Sequence, residues 1–382
     1  MPQLSQTTPY WRLSGFYFFY FAGLGTLLPY WNPYLKTLGY SSFQIGLLMA
    51  IVMGTKIIAP NLWGWLADKS GKRMSVVRLA SLLSVICFAG VFIDAGYYWL
   101  ILVMFSFSFF WNASLPQFEA TTLNHLGTET HAYNVIRIWG SIGFIVLSVG
   151  VGYLVDWKGI AIVPMIMFLL FMMIWFSSLL VNDHKPQVDE QRAQPFRQIL
   201  ARREVIALLL SCFLVQASHG PYYTFYSIYL SENGYASTLI GSLWALGVIA
   251  EIVVFLLMFR WLPALGARKL LLIAFLLTTL RWLLLAFTVE HLFWLINIQL
   301  MHAASFGIVH AVAIHLVHQY FIGQHQGKGQ ALYSSLSFGA GGAIGSLYSG
   351  LMWESVGATS VFVIAAGFSL SAFVISWYGV RD

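Results

Sequence analysis

The chain is built from apolar blocks, and their length limits its fold more than any other feature. Blocks rich in Leu, Ile, Phe, Val and Gly cover approximately 13–35, 43–67, 75–93, 97–119, 135–156, 160–181, 205–230, 238–259, 270–288, 291–316, 329–352 and 357–378. About 20 such residues cross the hydrocarbon of a bilayer as helix. The blocks are continuous and not striped, so the expectation is an all-α membrane protein of about twelve transmembrane helices. Composition agrees. The chain is 59% hydrophobic and 9% charged, where an ordinary soluble protein carries about 25% charged residues. Little chain is left for a soluble domain. Cys87 and Cys212 both fall inside blocks, so no disulfide framework is expected. No cleavable signal pattern precedes the first block.

The basic residues give an orientation. With both ends on one side, twelve crossings place Arg12, Lys69, Lys72, Arg73, Arg78, Lys185, Arg192, Arg197, Arg202, Arg203, Arg260, Arg268, Lys269, Lys328 and Arg381 on that side. Only Lys36 and Lys158 fall opposite, while Lys56, Arg137 and Arg281 lie within spans. The positive-inside rule makes the basic-rich side cytoplasmic. Both termini are then cytoplasmic, in a bacterial inner membrane. The net charge of +6 reports topology and calls for no nucleic acid; the expected partners are the lipid bilayer and a small solute, with the protein a monomer.

One long polar loop, 182–204, divides the chain into an N-terminal six-helix bundle (1–181) and a C-terminal six-helix bundle (205–382). The halves are alike. Comparing NPYLKTLGYSSFQIGLLMAI from Asn32 with SIYLSENGYASTLIGSLWAL from Ser227, an offset of 195 matches Tyr34 with Tyr229, Gly39 with Gly234, Tyr40 with Tyr235 and Gly46 with Gly241. The same offset sets Lys56 on Glu251. Duplicated bundles with a site between them near the midplane are a transporter architecture.

Ionisable residues inside spans are functional hypotheses, because a charge at the bilayer centre costs about 2.5–3.5 kcal/mol on insertion scales. Lys56, His219, Glu251, Arg281 and His302 each lie roughly half-way along a block, and Glu119 and Arg137 lie nearer the cytoplasmic ends of theirs. Taken singly, each is as well explained by packing or by an interface; a shared depth favours one site. Gln216, His219, Tyr222, Tyr223 and Tyr226 recur at the spacing of one helix face, and Trp244 shares a face with Gly247 and Glu251. Gln299, His302 and Ser305 make a second polar stripe. His310, His315 and His318, with His325 beyond, read as interfacial, since no H-E-x-x-H or cysteine completes a metal site. The glycines of SFGAGGAIGSLYSG read as helix contacts. No metal and no cofactor are expected, and no catalytic residue.

The loop GWLADKSGKR carries Gly64, Asp68, Lys69, Gly71, Lys72 and Arg73. It suits a glycine-permitted turn, with Asp68 accepting helix-end donors and the cations facing anionic lipid. It resembles the signature loop of the major facilitator superfamily, in which this loop controls opening between the halves; the counterpart RWLPALGARK lacks the acid. IRIWGSIGF and QASHGPYYTFYSIYL are similar to segments of the bacterial 3-phenylpropionate permease group, a relative of lactose permease and the nucleoside–proton symporters. The resemblance implies sugar-site roles for Glu119 and Arg137 and coupling roles for Glu251, Arg281 and His302. One departure stands out: Ser305 occupies the position of the second, proton-carrying glutamate. The resemblance therefore implies a proton site shifted onto Glu251 with His302, the proton being the coupling ion. A carboxylate that exchanges solvent for Arg281 as the bundles rock changes its proton affinity between states.

Lys56, Arg137 and Arg281 against two acids favour an organic anion as cargo, and the aromatic stripe suits a flat ring. Lys56, Glu119, Arg137, Gln216, His219, Tyr222, Tyr223, Tyr226 and Trp244 are the expected solute contacts. The sequence-based reading is thus a proton symporter, not an enzyme, of an aromatic carboxylate. A nucleoside or sugar symporter ranks next, then a drug antiporter; a membrane sensor without flux is the alternative of a different class.

Overall fold

The computed structural model describes residues 8–127, 132–184 and 196–381, in which the regular structure is helical. Ten helical stretches have the length and hydropathy of a bilayer crossing. The last of them, Gln326–Gly379, holds two crossings, because Gly357 with φ +81° breaks it. A further crossing, span one, runs Tyr10–Thr26, passes through a π-turn at Leu27–Trp31 and continues as Asn32–Thr37. The described residues therefore make twelve spans, as the apolar blocks require. Of the expected linker, 185–195 lie outside the described residues, and with them Lys185 and Arg192; Phe196–Leu200 is a short helix.

Span two is Ser42–Ser70, opened by a capping box of Ser41 and Gln44 and closed by Gly71 at φ +63°. Span three starts at Arg73–Phe88, span four is Tyr97–Leu126, span five Tyr133–Lys158 and span six Val163–Leu179. Span seven is broken into Arg203–Ser218 and Gly220–Glu232. Spans eight and nine are Ser237–Leu265 and Ala267–Thr288. Span ten contains a π-turn, Ala303–Ile308, between Leu292–Leu300 and Val309–Tyr320. Span eleven contains another, Ser335–Gly341, and ends at the Gly357 kink, beyond which span twelve runs to Gly379. The repeat is visible in the backbone: Gly39 and Gly234, and Gly71 and Gly266, all have positive φ and differ by 195 in number.

Within the first half, span one packs on five and six, and four on two and three; within the second, seven and nine both pack on twelve. Large apolar side chains such as Ile86, Leu102, Leu256, Phe259 and Phe287 point outward, as a lipid-facing belt demands. Across the halves, five meets eight, two meets eleven and one meets seven. Gly46 and Gly350 lie backbone to backbone in the two–eleven contact, where a Cβ on either would collide. Asn32 donates to the carbonyls of Tyr223 and Thr224, and Tyr30 to those of Ser148 and Ser237. These bonds gather at the end that carries Lys36 and Lys158, so the halves are joined most firmly at the basic-poor end.

Candidate functional site

The second half contains an interlocked polar network at mid-depth. Its geometry starts with Pro221, which has no N–H to continue span seven and breaks it at His219. The expected stripe persists across this break, with Tyr223 stacked on His219 at 5.7 Å. Gln216 turns toward a small cavity of about 10 Å³, lined also by Ser305, His310, Tyr333 and Ser337, room for about one water molecule. Tyr222 packs on Trp244 with tilted rings 4.5 Å apart, and Tyr226 meets it edge-on at 5.8 Å. Trp244 is anchored by its indole N–H on Ser227 at 2.9 Å. Gly247 lets span eight lie against span ten: a Cβ there would sit 3.1 Å from His302 and 3.2 Å from Gln299.

Arg281 is fully buried. Its Nε donates to the Ile298 carbonyl at 3.0 Å and its Nη1 to Ser305 Oγ at 2.9 Å, while the guanidinium lies 4.4 Å from the ring centroids of both Tyr222 and Trp282. Its partners are thus neutral. In this conformation Glu251 is not paired with Arg281: the ion pairs among the described residues are Lys36–Glu354, Arg73–Asp68 and His302–Glu251. Glu251 lies 2.8 Å from His302 Nε2 instead. Span ten explains the exchange, since the short Ser305 side chain sits where it engages the guanidinium and leaves the carboxylate to the imidazole. The 2.8 Å separation is a hydrogen-bonding distance between Glu251 and His302. A neutral His302 that donates from Nε2 leaves Nδ1 as an acceptor, and Nδ1 is buried with no hydrogen-bond partner. His219 is oriented by its Nδ1 on the Val215 carbonyl at 2.7 Å, so its Nε2 faces Ser305 at 3.3 Å.

Accessibility separates two layers. Gln216, His219, Tyr222, Tyr226, Trp244, Arg281 and His302 are buried inside the second half. Lys56, Glu119, Arg137, Tyr223, Glu251, Phe306 and His310 each keep residual surface. The expected solute contacts Gln216, His219, Tyr222, Tyr226 and Trp244 therefore stand behind the accessible layer.

The accessible layer draws on both halves. Glu119 and Arg137 do not form an ion pair: Tyr133 donates to Glu119 Oε1 at 3.2 Å, and the Arg137 guanidinium lies 3.8 Å over the Phe21 ring. Arg137 is close enough across the interface to act electrostatically on both Glu251 and His310. Lys56 has no hydrogen-bond or ion-pair partner among the described residues. Its backbone runs beside Gly339 of span eleven, where a Cβ would collide with the neighbouring Ile57.

At the basic-rich end, Asp68 accepts from the Arg73 side chain, not from helix-end N–H groups as expected. Arg73 also donates to Gln117 at 2.9 Å, Gly64 lies against the same Gln117, and Lys69 stacks on Trp65. Lys72 holds the N-cap position of span three. The helix-end role falls to Asp183, which accepts from Met74 N at 2.7 Å.

The sequence reading missed Trp282 and Tyr133, whose polar atoms find partners only in three dimensions. It also placed His310 among interfacial histidines. The structure puts His310 inside, bonded to Tyr333 at 3.1 Å and stacked on Phe306, which stacks in turn on His302. The signal was available: 302, 306 and 310 share a helix face.

Comparison with known proteins adds to this geometry. The sequence pattern of the MFS_1 like family matches residues 10–364. The chain is 29% identical to the "Probable 3-phenylpropionic acid transporter" of Escherichia coli K12 over 91% of its own length and 92% of that protein's. It is 26% identical to the maltose permease of Geobacillus stearothermophilus, covering 91% and 89% of the two chains. The nucleoside transporter NupG has a similar fold, with a TM-score of 0.80 at 19% identity over 96% of this chain and 98% of that one.

Proposed function

Because this chain belongs to the MFS_1 like family and is a transporter of the major facilitator type, we propose that it is a proton-coupled symporter of a small aromatic carboxylate. One observation carries the reading: Lys56 and Arg137 are accessible cations without a carboxylate partner, and Arg137 acts across the interface on Glu251 of the Glu251–His302 pair. A solute carboxylate supplies what the cations lack, by charge-assisted hydrogen bonds. Phe21, Tyr223 and Phe306 offer aromatic faces with residual surface for its ring. The name of the Escherichia coli relative is consistent with this chemistry.

Coupling follows if the solute changes the field at Glu251. An anion on Arg137 neutralises the charge that acts on Glu251 and so favours proton uptake by the Glu251–His302 pair. The anion and the proton together add no net charge, so the loaded site carries the same charge as the empty one, whereas either alone changes it. Arg281, held by neutral partners, keeps a fixed positive field behind the pair. The protein works as a monomer in the inner membrane, with both termini cytoplasmic, and the proton is its only coupling ion.

A nucleoside or sugar is the second reading. Glu119 favours it, as an accessible carboxylate able to accept from hydroxyls. Reconstituted vesicles offered a mixture of aromatic acids, nucleosides and oligosaccharides separate the readings, with lumenal contents read by mass spectrometry. Accumulation of aromatic acids only under an inward proton gradient is expected. Selective accumulation of a neutral solute would replace the proposed cargo, and export under the opposite gradient would replace symport by antiport.

A further inference from the structure

Two carboxylates at the basic-poor end cap helices that belong to the other half. Asp156, near the end of span five, accepts from Ser237 N and Thr238 N, each at 2.8 Å, and from Thr238 Oγ1 at 2.6 Å. Ser237 and Thr238 are the first residues of span eight. Glu354, near the end of span eleven, accepts from Ser42 N at 2.8 Å, with Lys36 Nζ 3.6 Å away. Ser42 is the first residue of span two. Under the offset of 195, Ser42 and Ser237 are the same position. Each half therefore lends a carboxylate to the same helix start in its counterpart.

The first N–H groups of a helix need acceptors, and negative charge there is favoured by the helix dipole. Such acceptors normally come from the adjoining residue. Here they come from across the interface, so separating the halves at this end uncaps the helices. The consequences differ. Span two keeps its own capping box, Ser41 with Gln44, after Glu354 leaves. Span eight begins after Ala236, which offers no side-chain cap, so losing Asp156 leaves its first turn to water.

We propose that Asp156 and Glu354 are reciprocal caps that set how far the transporter's equilibrium favours closure at this end, with Asp156 the stronger of the two. The proposal does not depend on the cargo. Spin labels on cysteines introduced at Asp94 and Glu290, in a Cys87→Ala, Cys212→Ala background, would report the separation of the halves at this end in proteoliposomes. The closed distance is expected to dominate in the parent. Asp156→Ala is expected to raise the open-to-closed ratio about tenfold or more, as loss of hydrogen bonds to a charged group implies. Glu354→Ala and Thr238→Val shift it the same way by smaller factors. Thr238→Val removes one hydroxyl donor and leaves the carboxylate in place, so it tests the cap even if Asp156→Ala expresses poorly. An unchanged distribution in both Asp156→Ala and Thr238→Val overturns the proposal, and a larger shift from Glu354→Ala than from Asp156→Ala overturns the ranking.

Discussion

Arg137 of the first half and Arg281 of the second carry the same charge in opposite settings. Arg137 keeps residual surface, has a phenyl ring beneath it, and stands apart from its nearest acid because Tyr133 holds Glu119. Arg281 is sealed, with a serine, a backbone carbonyl and two aromatic faces as partners. The first can meet a solute; the second can only set a field. The difference teaches that lying within a span does not by itself assign a role to a cation. Access does, together with what the neighbouring acids are already bonded to.

The contrast can be broken most sharply at Glu251. With one proton carried per solute, a gradient of about one pH unit supports about tenfold accumulation. In Glu251→Gln accumulation is expected to vanish, while solute exchange across the membrane without a gradient persists; retained accumulation would show that Glu251 carries no coupled proton. Arg137→Gln comes next. Loss of a hydrogen bond between charged groups should raise KM for an aromatic carboxylate about tenfold to a hundredfold, with little change for the corresponding neutral amide. Equal effects on both would assign Arg137 to packing.

Tyr133→Phe sharpens the same point from one residue away. It frees Glu119 to approach Arg137, so KM for the anion should rise about two- to tenfold with Vmax unchanged. A Vmax effect alone would speak against this positioning role. Gly247→Ala is the smallest perturbation. Its added methyl presses on His302 and Gln299, and a loss of about 2 °C in Tm is expected from such overpacking. A rise in Tm would mean that spans eight and ten are less closely packed than the geometry implies.

The sequence exposed the fold almost completely. Apolar block length counted the spans, and the repeat fixed the offset that recurs in the positive-φ glycines at 39 and 234 and at 71 and 266. Where it fell short, exposure was the missing fact. The stripe through His219 and Tyr223 survives the break at Pro221, with the two rings stacked at 5.7 Å, yet His219 is buried and Tyr223 keeps residual surface. Pairing was harder still. Glu251 and Arg281 share a depth, yet Ser305 engages the arginine and His302 the carboxylate. Residue numbers place side chains at a level in the membrane; they do not say which of several partners at that level is in reach.

The most direct test is to add an aromatic carboxylate to de-energised, weakly buffered proteoliposomes and record external pH. Protein-free vesicles correct for passive entry of the neutral acid. Inward movement of the anion with its proton is expected to raise external pH in the parent, and this rise should disappear in Glu251→Gln although labelled solute still exchanges. Solute entry without a pH change in the parent, or an undiminished change in Glu251→Gln, would contradict a proton carried by the second half beside a carboxylate bound by the first.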